Sequence, residues 1–439
     1  MERRKVAPRN VVLLAIGSRG DVQPSCVLGV ALRARGHSVH MATQVRLKPL
    51  VDEFGLPWRR LEGDHSGVLH EPAAQVALRE GSLFRLMRLT QAWERRFDKS
   101  KIFASFVAAV DGADVIIASA LTVTEALCVA QARRAERGAV QPWRASLGLP
   151  PLQHGVLAEY ARAAVPTLIA ASELMCGPRG KAPSDFPAHV YVGGFLFAQS
   201  AERARAVPAR AVACSGGGSG GGGACAAPAA EPRRDSGGAD ELLAFLTARA
   251  APAAYFGFGS MPAPDSVELL RLVLGTCAAA RCRALLVAGW TSLSTDAACV
   301  ALVAEATAAG TLIVRQSVDH AAILPLCSAI VHHCGVGTFA AALRSGVPQV
   351  PSPFMLDQPY NAQLAVRLGV APEVVPFDTK ISAAKLARAL RTILDEEGGG
   401  PLCERARAVA EQVRAESAHT VEHFVAAVEG AGLLTPSDV

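Results

Sequence analysis

The chain has 439 residues, 51% hydrophobic and 19% charged, with a formal charge of +5, a balance that excludes a disordered chain and calls for two cores rather than one. The arginines are scattered rather than gathered with aromatics into a stripe, which argues against a nucleic-acid surface, while a mildly basic face suits contact with an acidic membrane. Eleven cysteines without CxxC pairs, set inside apolar runs, read as reduced core thiols of a cytoplasmic protein.

At the amino terminus, basic residues before an apolar run resemble a signal peptide, but the run is short and Arg19 and Asp21 close it. No stretch reaches the ~18 uninterrupted apolar residues of a membrane span, so membrane contact is expected to be peripheral. Residues 11–16 form a continuous apolar run ended by Gly17, the mark of a buried parallel strand, and a helical pattern follows over 22–35 until Gly36 stops it. Strands at 38–42 and 114–118, with helices over 44–54 and 99–110 between them, make this half a doubly wound sheet. Short strands near 167–170 and 190–192 close a first domain over 1–197. The glycine-rich stretch 198–238 has no apolar periodicity and is expected to be a flexible linker; no strand precedes it and no Lys-Ser or Lys-Thr closes it as a phosphate loop would require.

The alternation then restarts in a second domain over 239–400. Strands are expected at 254–258, 284–288, 312–314, 329–331 and 349–350, with helices near 267–280, 296–308 and 361–368. Two more helices are expected over 383–394 and 402–428, and the latter, filling most of the closing segment 401–439, is long enough to pack across both domains.

The most informative window is HHCGVGTFAAALRSGVPQVPSPFMLDQPYNA, 332–362. It runs strand, glycine-broken turn, helix, strand, and then an acid-amide pair. Gly335 and Gly337 free the turn, and Thr338 opens a helix whose start suits a diphosphate. His333 and Thr338 add side-chain donors there. Asp357 and Gln358 follow the next short strand, at the carboxyl edge where ligands of open α/β sheets collect. That order describes a pocket for a sugar nucleotide, since a carboxylate and a planar amide can each meet two hexose hydroxyls. The plainer alternatives are close packing for the glycines and hydrogen-bonded core roles for the paired histidines.

Four blocks carry a resemblance: GSRGDVQP at 17–24, YVGGFLF at 191–197, YFGFGSM at 255–261, and the long signature 317–361. With them the chain resembles the UDP-glycosyltransferase superfamily, nearest the sterol 3-beta-glucosyltransferase branch and its bacterial antibiotic-glycosylating relatives. The resemblance implies an α/β fold of two Rossmann-like doubly wound domains facing across a cleft (GT-B). It places Ser18, Gly259, Ser260, His333, Gly335, Gly337 and Thr338 on the donor diphosphate, Asp357 and Gln358 on the donor sugar, and Val318 and His320 in the loop framing uracil. Asp21 stands where the family's general base stands. Its competing role is capping the helix that begins beside it, and an aspartate carboxylate is a weak base toward an alcohol unless its surroundings help.

The likeness further implies inverting transfer of a hexose, glucose from UDP-glucose, to a hydroxyl of a sterol or similar lipophilic acceptor. UDP-glucose serves as co-substrate, and neither cofactor nor metal is expected, the DxD motif of metal-assisted enzymes being absent from the sequence. One departure weighs against turnover: past residue 122 the first domain passes almost directly to LGLPPL at 147–152, where the family has further strands and helices lining the acceptor pocket. The amino-terminal domain is therefore expected to be shortened, and a donor-binding remnant with little transferase activity is the first alternative. A nucleotide-dependent oxidoreductase is the second, and it lacks its GxGxxG turn, since GSRGDV does not provide one.

Overall fold

The computed structural model describes residues 7–64, 67–80, 82–122, 126, 167–176, 190–193, 195–197, 236–248, 251–259, 266–289, 293, 296–378 and 380–430. In chain order the first lobe contains β1 (Asn10–Leu14), α1 (Arg19–Ala34), β2 (Ser38–Gln44), α2 (Lys48–Glu53), β3 (Trp58–Leu61), α3 (Pro72–Arg79), α4 (Leu83–Glu94), α5 (Lys99–Ala109), β4 (Val115–Ala118), β5 (Thr167–Ala170), α6 (Glu173–Cys176) and β6 (Val190–Gly193). The second contains α7 (Ser236–Thr247), β7 (Ala253–Gly257), α8 (Ser266–Ala280), β8 (Arg283–Val287), α9 (Ala297–Ala308), β9 (Leu312–Arg315), α10 (His320–Ile323), β10 (Ala329–His332), α11 (Val336–Ser345), β11 (Gln349–Pro351), α12 (Gln358–Arg367), α13 (Ala383–Leu394) and α14 (Glu396–Ser417). It is followed by α15 (Thr420–Gly430).

Each lobe is built on an open parallel sheet. The first has order β3-β2-β1-β4 and the second β11-β10-β7-β8-β9, and every strand pair among the described residues is parallel. β5 and β6 form a separate parallel pair. Alternation along a strand sends successive side chains to opposite faces, so helices cover both. Val11 and Leu13 pack with α1 and α2, while Val12 and Leu14 pack with Phe103 and Phe106 of α5. In β7, Phe256 meets Leu270 and Val273 of α8, whereas Tyr255 meets Leu242 and Leu246 of α7. This is the expected α/β architecture of two Rossmann-like sheets.

Several boundaries differ from the sequence expectation. α1 begins three residues early, because Ser18 and Asp21 organise its first turn. α12 begins at Gln358 rather than 361, since Pro359 suits the first turn of a helix. The expected helix over 402–428 is broken at 418–419 into α14 and α15. The break lets one segment serve two cores: Val409 and Val413 of α14 pack on Phe339 and Leu343, while Phe424 and Val425 of α15 pack against α1. Glu429 fixes the end of α15, accepting from Arg35 at 3.2 Å and pairing with His37 at 3.4 Å. The helical hairpin of α3 and α4 was not expected from the sequence. Leu86, Leu89 and Trp93 form its inward stripe at helical spacing, and the hairpin packs on Met355 of the second lobe. Of the glycine-rich stretch 198–238, residues 198–235 lie outside the described residues, and 236–238 open α7. The stretch between residue 122 and the segment 147–152, from which the shortening was inferred, likewise lies outside the described residues except for residue 126.

Candidate active site

The carboxyl ends of β7, β10 and β11 converge on one place. β10 ends at His332 and its two histidines part company there. His332 is fully buried; its Nδ1 accepts from the Cys334 N–H at 3.1 Å, so its Nε2 carries the proton and donates to Gln349 Oε1 at 2.9 Å. Burial pushes its pKa down to about 3, and it is a neutral structural group stacked on Phe339. His333 turns the other way, into a slot between two glycines. A Cβ on Gly259 would lie 2.3 Å from its Cε1, and a Cβ on Gly335 would lie 2.5 Å from its Nε2. Only residues without side chains can flank the ring. Gly259 also has φ +62, a left-handed conformation that glycine adopts without the Cβ penalty.

Burial pushes the His333 pKa down to about 4, against a smaller opposing effect of the Gly257 backbone. Its Nδ1 is buried and makes no hydrogen bond of good geometry, although the Gly257 backbone lies close enough to the ring to favour its protonated form. A buried ring nitrogen left in that state costs free energy unless a ligand meets it. Next to it, α11 starts at Gly335, which has no side chain to cap the helix, so the amides of Gly337 and Thr338 present the positive end of the helix dipole to the cleft.

Asp357 stands just before α12 and is exposed. Partial burial raises its pKa above the ordinary carboxylate range; its own amide, the Asn361 side chain and the Val336 amide work against that shift, and the negative charge of Asp21 adds to it. Gln358 is buried and its Oε1 accepts from the amides of Phe354 at 2.8 Å and Met355 at 3.4 Å. Its carbonyl therefore shapes the turn that carries Asp357. Phe354 stacks on Phe377 at 4.3 Å, and Phe258 meets Phe377 at 5.0 Å, an aromatic floor beneath the ends of β7 and β11.

From the first lobe, the start of α1 faces the start of α11: a Cβ on Gly337 would lie 3.6 Å from the Gly20 Cα. Asp21 sits in this first turn, exposed, with Oδ2 accepting from the Ser18 N–H at 2.7 Å and the Ser18 Oγ–H at 2.8 Å. Capping and cleft position thus coexist in one residue. On the far side, His320 opens α10 with its Nε2 hydrogen-bonded to the Tyr255 hydroxyl at 2.9 Å, which turns that edge of the ring inward, and Val318 packs on the core beneath β7. Ser260 lies outside the described residues. The structure therefore gathers His333, Gly259, Gly335, Gly337, Thr338, Asp357, Ser18 and Asp21 at one junction between the lobes, with Gln358 buried behind it and Val318 and His320 along one side. Sequence reasoning missed the supporting groups Gln349 and Tyr255, for which no local signal exists, and offered a hydrogen-bonded core role for the histidine pair without assigning it to His332.

Two family models match the chain, the glycosyltransferase family 28 N-terminal domain over residues 11–126 and the erythromycin biosynthesis protein CIII-like C-terminal domain over residues 304–423. One falls on each of the two lobes whose helix starts meet at this junction. The chain belongs to the UDP-glycosyltransferase superfamily. Among relatives of this glycosyltransferase, O-mycaminosyltylonolide 6-deoxyallosyltransferase of Streptomyces fradiae is 27% identical over 452 residues, covering 92% of this chain and 94% of that protein. Sterol 3-beta-glucosyltransferase of Candida albicans is 24% identical over 94% of this chain but only 27% of its own length. Among solved structures, the glycosyltransferase VinC in complex with DTDP superposes with a TM-score of 0.55 at 20% identity, over 96% of this chain and 100% of that one, a likeness of fold. Among the described residues no helix is long and apolar enough to cross a membrane.

Proposed function

We propose that this glycosyltransferase moves a hexose with inversion, glucose from UDP-glucose, to a hydroxyl of a sterol or similar lipophilic acceptor, with no cofactor or metal beyond the donor as co-substrate. The observation that carries the reading is the His333 imidazole clamped between two glycines, beside the start of α11, whose N-cap Gly335 has no side chain. Gly259, Ser260, Gly335, Gly337, Thr338 and Ser18 surround the diphosphate, Asp357 and the Gln358 amide meet the hexose hydroxyls, and Val318 with the outer face of His320 frames the uracil. The acceptor oxygen forms its bond to the anomeric carbon as the bond from that carbon to the diphosphate oxygen breaks. Its proton passes to Asp21, and the charge left on the nucleotide is met by helix amides and His333, donors already aimed where that charge grows. The Ser18 hydroxyl and amide hold the Asp21 carboxylate in place for that transfer.

A second reading comes from the near full-length match to the Streptomyces fradiae enzyme: a thymidine-diphosphate 6-deoxyhexose as donor and a macrolide as acceptor. Release of nucleotide diphosphate is measured for UDP-glucose and for a thymidine-diphosphate deoxyhexose, each with a sterol and with a macrolide. Turnover confined to the deoxyhexose and macrolide overturns the first reading. Donor binding without turnover under any pairing leaves the remnant reading. Peripheral membrane contact belongs to the proposal too: Phe84 and Met87 on α4 are 73% and 52% exposed beside exposed Arg88, a pattern suited to an anionic lipid surface. Failure to co-sediment with phosphatidylserine vesicles removes it.

A further inference from the structure

Two residues flanking the site hold backbone conformations that a side chain resists. Cys334, directly after His333, has φ +64, and Leu356, directly before Asp357, has φ +61. Each persists only where the surroundings hold it. The same side chain reaches both loops. Asn361 is 1% exposed on the first turn of α12, and its Nδ2 donates to the Cys334 carbonyl at 2.9 Å and to Asp357 Oδ2 at 3.0 Å. With the Cys334 N–H held by His332, the strained peptide is fixed at both ends, and one of its two holders also holds the carboxylate.

We infer that Asn361 is a positioning residue: its single carboxamide sets the spacing between the turn of residues 333–338 and the Asp357 carboxylate, so that the two halves of a sugar nucleotide are met at a fixed separation. The inference rests on the donor-binding reading of this lobe. It accounts for an asparagine at a buried helical position, where its helix propensity is poor and an apolar residue would pack as well. The carboxamide holds one strained residue directly, at the Cys334 carbonyl, and the other through its neighbour Asp357.

Asn361→Asp keeps the shape and removes the donors. A new carboxyl then lies beside Asp357 Oδ2, and one shared proton can serve Asp357 or the Cys334 carbonyl but not both. The charged and titratable groups acting on Asp357 are Asp21 from α1 and the Cys334 thiol from the turn, with amides of Val336 and Asp357 itself. Kd for UDP and for UDP-glucose is measured by calorimetry on both proteins from pH 6 to 9. The expected result is UDP affinity within threefold of the parent, UDP-glucose affinity at least tenfold weaker at pH 7, and a further weakening as pH rises and the shared proton leaves. The parent has no second carboxyl, so this added weakening with rising pH is absent from it.

Equal losses for both ligands would make Asn361 a purely structural residue and overturn the inference, as would unchanged UDP-glucose affinity or a pH slope like the parent's. If the parent binds neither ligand, nor a thymidine-diphosphate deoxyhexose, the donor-binding reading itself falls and this inference with it.

Discussion

Gly259→Ala tests the clamp on His333 most directly. The added methyl lies 2.3 Å from Cε1 and 2.8 Å from Nε2, and the ring cannot retreat, because Gly335 presses its other side with a Cβ position 2.5 Å from Nε2. Either the imidazole leaves its slot or the strand end moves. The hydrogen bond that a neutral imidazole makes to a phosphate oxygen is worth about 1.5–3 kcal/mol, so UDP affinity should fall by about tenfold to a hundredfold. The left-handed backbone at φ +62 adds about 1 kcal/mol of destabilisation, read separately as a lower unfolding midpoint. Calorimetric titration of UDP into Gly259→Ala, His333→Ala and the double variant completes a cycle. If the methyl acts by expelling the ring, it has little further effect on affinity once the ring is gone. An equal loss in both backgrounds would show that Gly259 matters for some reason other than His333, and the account of the slot would be wrong.

Asp21→Asn should lower kcat at least a hundredfold while UDP affinity stays within a few-fold, and unfolding should shift by about 1 kcal/mol from the weakened helix start; unchanged kcat refutes the base. Asp357→Ala should weaken UDP-glucose more than UDP, and an equal loss of both would take the carboxylate off the sugar. Gln358→Ala should do the same and also lower stability by about 1–3 kcal/mol, because the Phe354 and Met355 amides lose their acceptor. Acid should destabilise the fold through the two buried histidines, whose folded pKa values of about 3 and about 4 lie below the unfolded value of 6.5. Their contribution is complete above pH 6.5 and is lost as pH falls toward those values, since the unfolded chain takes up protons first. Denaturant unfolding of His333→Ala should show a shallower loss between pH 7 and 5, by about 1–2 kcal/mol at pH 5; a parallel loss excludes His333 as the titrating group.

Periodicity made most of the fold legible, because a buried parallel strand and an amphipathic helix each leave a repeat that neighbours in sequence are enough to reveal. The α8, α9 and α13 helices and all five strands of the second sheet fall within a residue or so of where apolar runs put them. The order of Gly335, Gly337, Thr338, Asp357 and Gln358 likewise pointed to a nucleotide-sugar site from sequence alone. The pair His332 and His333 could not be ranked that way: they are identical in type and adjacent, yet one is locked into Gln349 seventeen residues away and the other sits in the slot between Gly259 and Gly335. Nor could the sequence show that Gln358 spends its carbonyl on the turn, that one asparagine ties Cys334 to Asp357, or that the helix over 402–428 breaks to serve two cores. Those outcomes depend on where distant segments meet: hydrogen bonds and close packing act over a few ångströms in space regardless of separation along the chain. Composition and spacing decided which side chains stand at the mouth of the cleft, and tertiary contact decided which of them face it.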